Sequence, residues 1–178
     1  MPACLATLLA VLLTACSQPT GASDVAERPD GPVLDEADIF PPEQEAALER
    51  ELTDYWQDTG VALVVVTDAS LDGKTIEDVA FETFNAWGIG APDTGRGLLV
   101  LLAPEERKVR IEVGCGMESR VTDLRAALII EDAMTPLYRS GDIAAGTLAG
   151  VEELKRVAAG PPITDAPQSP LCREGAPS

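Results

Sequence analysis

Two unbroken apolar runs, Val61 to Thr67 and Gly97 to Ala103, restrict what this chain can become more than any other feature. They read V-A-L-V-V-V-T and G-L-L-V-L-L-A. A strand with one face in water alternates apolar and polar residues. These runs do not alternate, so both faces must be covered. Between them, Thr75 with Asp78 resembles a capping box, and Ile76, Val79, Ala80, Phe84 and Trp87 fall on one helical face before Gly88. Strand, helix and strand of this kind imply a parallel pair with a right-handed crossover. A loop at Pro104 then leads to Lys108–Val113, where Val109, Ile111 and Val113 alternate with Lys108, Arg110 and Glu112. That pattern predicts an antiparallel hairpin partner in an outer, half-exposed position.

Helices surround these strands. Pro41-Pro42-Glu43 starts one, Leu48, Leu52, Tyr55 and Trp56 form its apolar stripe, and Gly60 stops it. Trp56 and Trp87 both fall on apolar faces and read as core. A second helix is expected from Thr122 to Met134 through Leu124, Ala127, Leu128 and Ile130, broken at Pro136. The last spans Asp142 to Ala159, with Ile143, Leu148, Val151 and Leu154 inward. The expected fold class is α/β, a small mixed β-sheet flanked by helices in a single domain.

The ends of the chain are different. Residues 1–15 carry no charged side chain and contain the apolar run Leu5 to Leu13, too short to span a bilayer comfortably and suited to a secretory signal. Leu13-Thr14-Ala15-Cys16 resembles the lipobox of bacterial lipoproteins, in which the cysteine is acylated. The chain is therefore expected to be exported and anchored by lipid on Cys16 to a membrane at the cell envelope. Residues 16–32 read as a flexible tether, 33–158 as the folded domain and 159–178 as a Pro-rich disordered tail.

The formal charge is −17, from 13 Lys and Arg against 30 Asp and Glu. Such an excess repels nucleic acid, so no nucleic-acid partner is expected. The chain has no histidine. Ser-His-Asp triads, Cys-His pairs and His-based zinc sites are thereby excluded.

Chemistry concentrates in the stretch Arg107 to Asp123, R-K-V-R-I-E-V-G-C-G-M-E-S-R-V-T-D. A strand ends at Gly114 and Gly116 and delivers Glu118 and Asp123 around the start of a helix. Hard cations want several oxygen ligands, and Asp35, Asp93, Glu118 and Asp123 all fall at element ends. They are candidates for one shared site for Ca²⁺ or another divalent cation. Structural duties compete: Asp123 capping a helix, Asp35 and Asp93 stabilising turns. Of the four cysteines, Cys4 would leave with the signal and Cys16 carry lipid. Cys115 and Cys172 either stay separate thiols or pair as a disulfide that pins the tail beside the glycine loop. Cys115 to Arg120 is one residue too short for a thiol-phosphatase loop. A metal-activated water at Glu118 and Asp123, with Arg96 and Arg107 holding phosphate, is a second catalytic route.

Several segments together resemble the TPM domain family of bacterial envelope and thylakoid-lumen proteins. They are Val33-Leu34-Asp35-Glu36-Ala37, Trp87-Gly88-Ile89-Gly90, Asp93 to Leu99, Arg107 to Gly114 with Gly116, Glu118, Thr122 and Asp123, and finally Tyr138, Gly141-Asp142 and Gly146. The resemblance implies a three-layer α/β sandwich, binding of Ca²⁺ or a similar ion, a weak acid-phosphatase activity, and roles in assembling or maintaining membrane protein complexes. Cys115 stands where the family usually has an aromatic residue. With no complete catalytic constellation and no histidine, the chain is expected to be a non-catalytic accessory or maintenance factor acting on an envelope protein partner. The alternative is a weak metal-dependent acid phosphatase.

Overall fold

A computed structural model describes residues 26–90, 93–163 and 172. The leader, Cys16, most of the tether and most of the tail lie outside the described residues. The elements run β1 (Val33–Asp35), α1 (Pro42–Thr59), β2 (Ala62–Thr67), α2 (Ile76–Ala86), β3 (Gly97–Ala103), β4 (Lys108–Val113), α3 (Asp123–Leu128), a π-helical turn (Ile129–Met134), α4 (Thr135–Arg139) and α5 (Ile143–Ala159). The sheet order is β1-β2-β3-β4; β1, β2 and β3 are parallel and β4 is antiparallel to β3.

All of β3 is buried. Its successive side chains point to opposite faces, so it feeds two cores. Leu98 and Val100 join Val33, Leu63, Val65 and Ile111 beneath Leu48 and Leu52 of α1 and Val151 and Leu154 of α5. Leu99, Leu101 and Ala103 join Val66 beneath Ile76 and Ala80 of α2, together with Trp87. The result is a three-layer α/β sandwich. Each leucine taken fully out of water contributes about 2 kcal/mol. Both crossovers step the same way across the sheet, yet α1 covers one face and α2 the other. They therefore have opposite hands, and one departs from the usual right-handed rule.

Three local readings change. Trp56 is 57% exposed, not core, whereas Trp87 is buried. Leu124 and Leu128 are exposed; Ala126, Ile129 and Met134 face inward instead. The helix after Thr122 also does not break at Pro136. An uninterrupted α-helix would set the proline ring against the carbonyl of Asp132. The chain widens by one residue first: Thr135 donates both its backbone N–H and its hydroxyl to the carbonyl of Ile130. Pro136 then falls in the first turn of α4, where no donor is required. No helix among the described residues is long and apolar enough to cross a membrane.

The phase set by the π turn is locked by α5. A Cβ at Gly146 would lie 2.5 Å from Tyr138 Cε1 and 3.0 Å from the Met134 carbonyl oxygen. Gly146→Ala is therefore expected to lower stability by about 1–3 kcal/mol in urea unfolding. An unchanged midpoint would mean that α5 packs more loosely than described.

Candidate functional site

The parallel strands give the molecule two distinct ends. At the end where β3 begins, two loops are zipped together. Gly116 N–H donates to the Gly95 carbonyl at 3.0 Å and Gly114 N–H to the Gly97 carbonyl at 2.9 Å. A side chain at Gly116 would strike the Thr94 carbonyl oxygen, and Gly95 has φ 58, which explains glycine on both sides of the contact. Met117 is fully buried and anchors the corner. Its carbonyl accepts from the N–H groups of Arg120 and Val121. Thr122, not Asp123, caps α3: its hydroxyl accepts from Arg125 N–H at 3.3 Å. Asp123 is the exposed first residue of that helix, where its charge favours the positive end of the dipole.

The C-terminal segment lies across this corner. Ile163 N–H donates to the Ser119 carbonyl at 2.6 Å, and Arg120 Nε donates to the Gly160 carbonyl at 3.1 Å. A disulfide joins Cys115 to Cys172, with their Cα atoms 5.4 Å apart. Cys172 Sγ sits 3.1 Å from Glu118 Oε1. A disulfide sulfur holds no proton, so this is a contact and not a donated hydrogen bond.

The sequence pattern that defines the TPM domain matches residues 33–157. The chain belongs to the TPM domain family. The N-terminal domain of a protein from P. gingivalis, known from solution NMR, is similar at 34% identity over 70% of this chain and 80% of that one, with a TM-score of 0.66. The N-terminal domain of the cg2496 protein from Corynebacterium glutamicum shares the fold at 21% identity, TM-score 0.57, over 79% of this chain and 89% of that one. The BA42 protein from the psychrophilic bacterium Bizionia argentinensis does so at 19% identity, TM-score 0.59, over 73% and 90%. A search of curated proteins found no match.

Within this TPM domain the four acids do not form one ligand set. Asp93 and Glu118 are two residues from Gly95 and Gly116 along the chain and Asp123 opens α3, whereas Asp35 lies at the other end of the sheet. Asp35 pairs with Thr67, which pairs with Leu102, while the corner starts at Gly97. Five positions along β3 separate Gly97 from Leu102, roughly 17 Å of extended strand. The oxygens of Asp35 are also committed. Oδ1 accepts from Ile39 N–H at 3.1 Å and from the Thr67 hydroxyl, and Oδ2 accepts from Phe40 N–H at 2.7 Å. Among the described residues, no group of three or more Cys, Asp or Glu side chains is arranged to hold a metal ion. The phosphate clamp separates in the same way: Arg96 precedes β3 and Arg107 follows it, with the whole strand between them.

The end where β3 finishes carries acids that sequence reading passed over. Glu106 Oε1 accepts from Leu71 N–H at 3.0 Å. Asp68 is held above the ordinary carboxylate range, first by burial and then by the nearby charges of Asp72 and Glu106. The sequence signal was available in the Asp68–Asp72 turn, but only the fold brings Glu106 to it.

Two outcomes follow. Asp35→Ala strands the N–H groups of Ile39 and Phe40 and is expected to cost about 2 kcal/mol or more in denaturant unfolding. Wild-type stability in this variant would remove the structural role given to Asp35. Cys115→Ser is expected to lower stability by at most about 4 kcal/mol, the loop-closure limit for a bridge spanning 57 residues. Equal midpoints with and without reductant would show that the bridge adds nothing.

Proposed function

We propose that this TPM-domain protein is exported, tethered to a membrane through lipid on Cys16, and serves as a non-catalytic accessory or maintenance factor for envelope protein complexes. The observation that carries this reading is the Cys115–Cys172 disulfide. Disulfides persist in oxidising compartments and are rare in reducing ones, which agrees with the lipobox-like Leu13-Thr14-Ala15-Cys16. The partner surface is centred on Trp56, whose exposure is unusual for so large an apolar group. It borders a hollow of about 310 Å³ that Arg28, Pro32 and Ile89 also line. The chain enters the domain nearby, where Trp87 Nε1 donates to the Ala26 carbonyl at 2.9 Å and Arg28 Nη1 donates to the Trp87 carbonyl at 2.6 Å.

A divalent cation belongs to this reading only at the Gly95–Gly116 corner and only with fewer than three acids at once, Glu118 and Asp123 being the pair to test, since no three acids among the described residues are arranged around one ion. Asp35 is too far away. The metal-dependent phosphatase alternative is disfavoured, because Arg96 and Arg107 stand at opposite ends of β3 and do not meet on one phosphate.

Growth with labelled palmitate is expected to label the wild type and not Cys16→Ser. An unlabelled wild type with free Cys115 and Cys172 thiols would defeat the proposal. Calorimetric titration with CaCl₂ tests the ion separately. Glu118→Gln and Asp123→Asn should weaken binding roughly tenfold each, and affinity unchanged in both would remove the cation from the account. Hydrolysis of an aryl phosphate that is lost in Glu118→Gln would restore the phosphatase reading.

A further inference from the structure

The opposite end of the sheet holds a cleft that none of this uses. It has a volume of about 950 Å³ and lies between the β3–β4 hairpin, the start of α2 and the α4–α5 junction. This is outside the carboxyl ends of the parallel strands, where open α/β sheets receive ligands.

Its charge opposes that of the chain. Arg107, Lys108 and Arg139 line it, against one acid, Glu77. Among the described residues none of these three cations is in a salt bridge, a condition they share with Arg28, Arg50, Arg96, Arg120 and Arg125; what sets them apart is that they line one cleft. In a chain of net charge −17, three cations against one acid give this cleft a local charge opposite to that of the whole. Arg107 is also held at φ 55, in a backbone region that side-chain-bearing residues seldom adopt.

Half-buried Val109, Ile130 and Ile143 give the cleft an apolar wall, with the buried Leu102 behind them. The Tyr138 hydroxyl is turned to Thr147 Oγ1 at 3.1 Å. Burial pushes its pKa to about 12, so it adds no negative charge. The π turn connects the two halves of this surface. Its bracketing residues, Ile130 and Thr135, both line the cleft. One extra residue rotates everything after it by roughly 100°, which carries Tyr138 and Arg139 to the cleft side. Such turns concentrate at functional sites.

We infer that this cleft binds a small amphiphilic anion, an apolar body carrying a phosphate or carboxylate. The cations of Arg107, Lys108 and Arg139 take the anionic head, and Val109, Ile130 and Ile143 take the body. The volume lies in the range of small-molecule sites and far exceeds the need of a bare phosphate. The inference depends on neither the lipid anchor nor the corner cation.

The test is an NMR titration of the full ¹⁵N-labelled chain with octyl phosphate, inorganic phosphate and octanol. Octyl phosphate should give saturable shifts at Lys108, Val109 and Ile130, weaker with inorganic phosphate and absent with octanol. Lys108→Ala and Arg139→Ala, both at exposed positions and expected to fold normally, should each weaken octyl phosphate binding roughly fivefold. Val109→Ala should weaken octyl phosphate binding but leave inorganic phosphate unchanged. Shifts that do not saturate, that survive both cation variants, or that octanol reproduces would overturn the inference. Sedimentation with phosphatidylglycerol vesicles, lost in the same cation variants, would identify the head as a lipid's. Absence of sedimentation with octyl phosphate binding retained would identify a free small anion.

Discussion

The architecture depends on the removal of β3 from water on both faces. Its seven residues are all buried, and alternation along the strand supplies one core under α1 and α5 and another under α2. An apolar strand of that kind leaves no room for chemistry midway along the sheet, since an unpaired polar group there would cost several kcal/mol. Polar work is confined to the two ends, and those ends are a full strand apart. The same constraint that makes the fold also decides which groups can cooperate.

Each end has its own character. Where β3 begins, glycines let two loops touch backbone to backbone, and the C-terminal segment is fastened over them by Cys115–Cys172. Trp56 and the entry of the chain at Ala26 and Arg28 are on this side as well. Where β3 finishes, cations without a salt bridge among the described residues line a cleft beside a re-phased helix. Membership of the TPM domain family fixes the framework common to both ends. What each end does rests on the residues particular to this chain.

Much of the framework was legible because it is local. The runs Val61–Thr67 and Gly97–Ala103 could only be buried strands, Thr75 capped its helix as its spacing required, and Gly60 ended α1 in the left-handed conformation that glycine favours. Features set by long-range partners were not legible. β1 is three residues long and has no apolar run, and it becomes a strand only by pairing with β2. The π turn comes from a contest between Pro136 and the packing of α5, which no periodicity count contains. Trp56 lies on the apolar stripe of α1 but at its margin, so helical spacing alone put it inside. Asp35 looked like a ligand because it ends an element near other acids in the family-like segments. Which end of the sheet it occupies is a matter of register, and register is a property of pairs of strands.

The covalent bridge also divides the molecule mechanically. Everything from Cys115 to Cys172, including α3, α4 and α5, lies inside a closed ring. Among the described residues the N-terminal edge is held by noncovalent contacts alone: the short β1 ladder, the bonds of Asp35 and Ala37 to Thr67, the burial of Val33 and Phe40, and the bonds around Trp87. Tension applied from the amino end would therefore peel β1 away first, while the ringed half keeps its connectivity until a sulfur–sulfur bond is broken.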